Sequence, residues 1–190
     1  MHTLKTNTNQ MANELKIKAF EYVLYKLDEW FKEKNTSSMY NDISVLKALK
    51  LLFFVSAVDS KKDSDETLLD VVFNNFVAMP YGHVESDVYS NIKSNSHNSI
   101  VIDNNKTTIS NSNKILELDN NIKTKIDNSI NKLKGINADL INMSAFDLVE
   151  LSHSWYSWKF YFAKAKRNNT NKESIPNEII KSEEKFFFIN

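Results

Sequence analysis

The sequence predicts a mainly α fold, a compact single domain of about six helices with one small β-hairpin. Three observations carry that expectation. The stretch Ile43–Val58, ISVLKALKLLFFVSAV, is apolar on nearly every side of a helical wheel, so it must be covered on nearly every side. Most of the remaining chain repeats apolar residues at spacings of three and four, the signature of helices with one buried face. One segment, Ile100–Ile109, breaks that rhythm with two β-favouring runs around Asp103, Asn104 and Asn105, whose side chains tolerate turn conformations. At 190 residues with 12 Phe, 7 Tyr and 3 Trp, the chain has material for one core and fits one domain.

Taken in order, Met1–Gln10 has no apolar run and no cleavage pattern, and reads as a disordered lead before a domain spanning 11–190. From Met11 to Lys34, Leu15, Ala19, Phe20, Val23, Leu24, Leu27, Trp30 and Phe31 mark an amphipathic helix. The central helix follows, capped by Asn41 or Asp42 and stopped by the charged run Asp59–Glu66. Its residues Leu46, Leu49, Leu52, Phe53 and Val55 are expected to be almost wholly buried, with Lys47 and Lys50 forming one narrow solvated stripe. A membrane span needs about 20 uncharged apolar residues, and two lysines interrupt a shorter run here, so no membrane partner is expected.

Leu68, Leu69, Val72, Phe73 and Phe76 predict a helix over Glu66–Val77, broken by Pro80 and Gly82. Proline fixes its own φ and glycine reaches conformations closed to other residues, so Ala78–Tyr89 reads as a shaped loop, with a short helix resuming over Glu85–Ile92. After the hairpin, Ile115, Leu118, Ile122, Ile126, Ile130 and Leu133 make one helical stripe ended by Gly135. Ser144 and Asp147 have capping-box spacing and start a helix to about Ser152. The densest aromatic cluster, Trp155 to Phe162, runs into the basic Lys164–Arg167. Asn168–Ser174 is linker, and Pro176 opens a terminal helix ending in Phe-Phe-Phe-Ile.

Composition excludes several functions. Without cysteine there is no disulfide, no thiolate nucleophile and no sulfur-ligated zinc, and a reducing cytoplasm is the expected location. Twenty-four basic residues balance 24 acidic ones, and Arg167 is the sole arginine. Nucleic-acid affinity comes mainly from clustered basic residues, so the chain is not expected to bind nucleic acid by itself. Two glycines cannot build a Gly-rich phosphate cradle. His2, His83, His97 and His153 show no paired i, i+4 metal spacing, so no metal, cofactor or catalytic residue is assigned. The chain is read as a non-enzyme, and a small metal-dependent hydrolase is the weakest alternative.

Three stretches together resemble a known family, the SocA-like antitoxin or Panacea domain, related to phage-associated GepA-type proteins. Family members read iTxLKLQKLLYFA in the central helix, then AwxYGPVxxxVY, then LxxLTHxxxxPW. Here these stand as ISVLKALKLLFFV (Ile43–Val55), AMPYGHVESDVY (Ala78–Tyr89) and LVELSHSWYSWK (Leu148–Lys159). The family's Gly-Pro becomes Gly82-His83, its Gln becomes Leu49, and its Pro-Trp becomes Ser157-Trp158. The resemblance implies an antitoxin that neutralises a cognate toxin by protein–protein binding; a phage-related protein acting on a host factor is the alternative, and homo-oligomerisation stays open. Candidate partner-binding residues are Pro80, Tyr81, Gly82, His83 and Glu85 on the loop, with His83 expected at the surface, and His153, Trp155, Trp158 and Lys159 in the third motif. The same two motifs could equally be a structural clasp, the loop packing on Trp158 to close the core.

Overall fold

The structure is a computed structural model, described for residues 2–97 and 99–189. Among these, helix α1 spans His2–Lys34 and α2 spans Val45–Val58. The heptad-like spacing of α1 buries Ala19, Phe20, Val23, Leu24, Leu27, Trp30 and Phe31 on one face. The helix starts at His2, so the disordered lead expected over residues 1–10 is helical backbone from its second residue; Met1 lies outside the described residues. No glycine or proline interrupts the chain before Pro80, and adding a residue to an existing helix is far easier than nucleating one.

Helix α2 is the buried centre, with 12 of its 14 residues buried. Leu49, Leu52, Phe53 and Val55 are shielded as expected, whereas Leu46 is only half-buried. The half-buried part of α2 lies at its first turn, around Ser44, Val45 and Leu46, and not along a lysine stripe. Lys47 and Lys50 are both buried, correcting the expectation that they face solvent. Lys47 still reaches the rim, where its Nζ meets Asp42 Oδ1 at 2.7 Å. Ser44, not Asn41 or Asp42, caps the helix by accepting from Lys47 N. Asn41 instead ties the chain together, its Oδ1 accepting from Ile43 N and Thr107 N and its Nδ2 donating to Asp28 and to Thr107 O.

The helix expected over Glu66–Val77 lasts one turn, α3 (Leu68–Val71), started by a Thr67–Asp70 capping box. Leu68, Leu69, Val72 and Phe73 are buried as the spacing required, but Phe76 and Val77 pair in a strand instead. Strands β1 (Phe76–Met79) and β2 (Gly82–Glu85) form an antiparallel hairpin around Pro80 and Tyr81, and β5 (Glu173–Ser174) pairs with the other edge of β1. The shaped loop is therefore a tight turn. Helix α4 (Ser86–Lys93) follows, then the predicted hairpin of β3 (Ile100–Ile102) and β4 (Thr107–Ile109).

The single stripe expected from Ile115 divides into α5 (Ser112–Ile115) and α6 (Asn120–Ile136), because Asp119 caps α6 afresh by accepting from Asn121 N and Ile122 N. Gly135 sits inside the last turn of α6 and does not terminate it. Helices α7 (Ala145–Ser154), with the predicted Ser144–Asp147 box, and α8 (Tyr156–Arg167) carry the third motif. Helix α9 (Asn177–Ser182) stops before the aromatic tail, whose Phe187 packs near Phe54 and Trp155. Nine α-helices among the described residues stand where about six were expected; α5 arises because the expected stripe divides, and α8 covers the aromatic cluster to which no helix was assigned. The mainly α class with small antiparallel sheets is as predicted. Among the described residues no helix is long and apolar enough to cross a membrane.

Candidate functional site

The second and third motifs meet over α2. A two-residue turn at Pro80 and Tyr81 places Gly82 already in strand β2, opposite Met79, and sends His83 inward opposite Ala78. His83 is fully buried, which corrects its expected place at the surface. Its ring lies flat on Phe53, with centroids 3.6 Å apart and planes 4° apart. Nδ1 is 2.8 Å from Ser152 Oγ and Nε2 is 2.7 Å from Ser157 Oγ, while the backbone N–H donates to Ser152 Oγ at 3.0 Å. Burial holds the imidazole well below its usual pKa, and the nearby Lys50 and His153 push the same way. The neutral ring offers one donor and one acceptor. A proton on Nε2 satisfies every partner: Ser152 accepts from the backbone and donates to Nδ1, and Ser157 accepts from Nε2.

Lys50 rises from α2 beneath this turn and donates to the carbonyl oxygen of His83. It is wholly buried, and burial alone draws its pKa down to about 7. Gly82 is the point of closest approach. Its φ is +90°, a left-handed conformation that disfavours side chains, and a Cβ there would lie 2.5 Å from Ser152 Oγ, 2.9 Å from Ser152 Cβ and 3.0 Å from Lys50 Nζ.

Around this centre one more hydrogen bond joins the two motifs, and other contacts tie each motif to its surroundings. Trp158 Nε1 donates to Met79 O at 2.8 Å, and His153 stacks on Trp158 at 3.6 Å. Burial lowers the His153 pKa. Trp155 is buried, donating from Nε1 to Phe186 O and meeting Phe53 edge-on. Glu85 is buried too: it caps α4 by accepting from Val88 N and accepts from Lys16 Nζ at 2.7 Å, burial raising its pKa while Lys16 opposes.

The motifs 70 residues apart thus form one structure, as expected, but Gly82, His83, Glu85 and Trp155 face inward, and the clasp is made by Gly82 and His83 against Ser152 and Ser157. Pro80, Tyr81 and Lys159 are exposed, and His153 and Trp158 are half-buried. The model of the family described as antitoxin SocA-like, Panacea domain, matches residues 49–159, more than half of the chain. The chain belongs to this family. The matched span holds Lys50, Gly82, His83, Ser152 and Ser157, so the whole clasp lies inside the SocA-like domain. No curated protein and no solved structure matches the chain.

Two features of this SocA-like domain escaped sequence reasoning. Ser152 and Ser157 are the clasp's hydrogen-bonding partners, and nothing local distinguishes them from surface serines. Tyr156 and Phe160 on α8 stay exposed at 55% and 43% and stack on each other at 5.6 Å. Their i, i+4 spacing, offset from the buried Ser157 and Ala165, is the signal that could have found them. Among the described residues no cluster of three acidic or histidine side chains could hold a metal ion.

Proposed function

We propose that this chain is an antitoxin that neutralises a cognate toxin by direct binding in the cytoplasm, without turnover of its own. The observation that carries the reading is the family match across residues 49–159, which spans the assembled clasp. The clasp supports it physically. It ties α2, the β1–β2 hairpin, α7 and α8 into a rigid frame, and beside that frame Tyr81, Tyr156 and Phe160 remain outside. Exposed aromatic side chains on a rigid frame bind with little ordering cost, and Tyr is enriched among interface hot spots. The partner surface therefore consists of the outer residues Pro80, Tyr81 and Lys159 with α8, while His83 and Trp155 hold it in shape.

The test is co-expression with the gene adjacent to its own. Growth arrest by the neighbour, relieved by this chain and accompanied by a co-purifying complex of fixed stoichiometry, is the expected result. Arrest that persists while the chain is expressed and folded refutes the antitoxin reading.

A further inference from the structure

The outer face of α8 is more specific than a generic sticky patch. Its exposed positions are Tyr156, Lys159, Phe160, Ala163, Lys166 and Arg167, a continuous stripe at helical spacing. Two of them are stacked aromatics and three are cations, and the helix contains no acidic residue. Lys164 is neutralised by Glu173 at 2.7 Å and Lys166 donates to the neutral Asn171, while no described carboxylate forms an ion pair with Lys159, Lys166 or Arg167. Meeting this stripe at Lys159 is a groove of about 330 Å³ between α7 and the tail, lined by Leu151, Ser154, Phe186 and Phe188 and also by Glu150.

We propose that this stripe and groove receive an acidic amphipathic helix of the partner, its apolar side chains entering the groove and packing on Tyr156 and Phe160 while its carboxylates meet Lys159, Lys166 and Arg167. The inference rests on the antitoxin reading and names the chemistry of that partner. Charge complementarity selects the acid, since three unpaired cations on one face repel a basic partner and steer an acidic one. A helix fits because the stripe is straight and about 16 Å long at 1.5 Å per residue. Single-stranded nucleic acid fits less well. Base stacking needs open ring faces, but Tyr156 and Phe160 lie against each other, and three cations in a chain of zero net charge give a small electrostatic footprint. A second copy is disfavoured as well, because a two-fold contact would set the same cations against each other.

The experiment uses the full chain and the protein encoded by the adjacent gene, measuring growth rescue and the affinity of the purified pair. Two variants are compared with wild type: Lys159→Glu/Lys166→Glu/Arg167→Glu and Tyr156→Ser/Phe160→Ser. All five side chains are exposed, so thermal melts should match wild type and confirm folding. Each variant should lose rescue and weaken binding about tenfold or more. Raising salt from low to high should weaken the wild-type complex and strengthen the charge-reversed one, whose like-charge repulsion it screens. Several results overturn the proposal: unchanged affinity in both folded variants, a wild-type dimer dissociated by the aromatic substitutions, or binding of a fluorescent oligo-dT strand that the charge reversal abolishes. If wild type itself fails to rescue, the antitoxin reading falls, and the inference falls with it; if wild type rescues and the variants do too, only the inference fails.

Discussion

Gly82→Ala probes the clasp at its tightest point. The added methyl would lie 2.5 Å from Ser152 Oγ and 2.9 Å from Ser152 Cβ, below any ordinary contact, and the backbone there holds φ at +90°. A left-handed conformation costs a non-glycine residue about 1–2 kcal/mol, and overpacking a filled core costs about 1–3 kcal/mol. Together these give a loss of roughly 2–5 kcal/mol. For a chain of this length each kcal/mol shifts the melting temperature by about 2–4 °C, so a loss near 3 kcal/mol lowers Tm by about 6–12 °C. Differential scanning fluorimetry would read that directly. A second variant separates strain from clash. Ser152→Gly removes both obstructing atoms but orphans the His83 N–H and Nδ1, so it is destabilising alone. In that background Gly82→Ala should retain its φ strain and the milder 3.0 Å approach to Lys50 Nζ, and the two losses should fall short of additivity by more than about 0.5 kcal/mol. An unchanged Tm for Gly82→Ala, or strict additivity in the cycle, would refute the close approach.

Three further outcomes follow from the same geometry. Lys50 carries a folded pKa of about 7 against 10.5 in the open chain. Between those values the unfolded chain keeps a proton that the folded chain has released, so stability rises with pH across that window and reaches its full Lys50 contribution above it. Urea midpoints from pH 7 to 9.5 should climb for wild type and climb less for Lys50→Met; equal slopes would contradict the burial, with Lys47, also lowered by burial, supplying any residual rise. Tyr81→Ala should leave Tm within about 2 °C of wild type, as for most exposed positions, while His83→Ala opens a cavity against Phe53, orphans two hydroxyls and lowers Tm markedly. Parallel melts decide this, and equal losses would show that the hairpin turn is itself part of the core. Leu52→Ala, at a fully buried site in α2, should cost about 2–5 kcal/mol by chemical denaturation. An unshifted midpoint would remove α2 from the centre of the fold.

Periodicity, capping and turn chemistry are local properties, and what rests on them was legible in the sequence. The amphipathic face of α1, the nearly all-apolar α2, the Ser144–Asp147 box and the β3–β4 hairpin each follow from residues within a few positions of one another. Even the meeting of the second and third motifs was foreseeable from their family resemblance. What tertiary structure decided is which polar groups leave water. The burial of Lys50 depends on a carbonyl 33 residues away, and that of His83 on hydroxyls 69 and 74 residues away. A neutral imidazole between two serines is stable in a core, whereas the same residue on a turn faces solvent, and nothing near His83 in the chain chooses between them. The same holds for Phe76, whose helical spacing yields to strand pairing because β2 and β5 arrive on both sides. The exposed aromatics of α8 close the pattern. Tyr156 and Trp158 look alike in sequence, and only the position of Met79 O, which takes the Trp158 N–H, settles which ring faces the core and which is left for a partner.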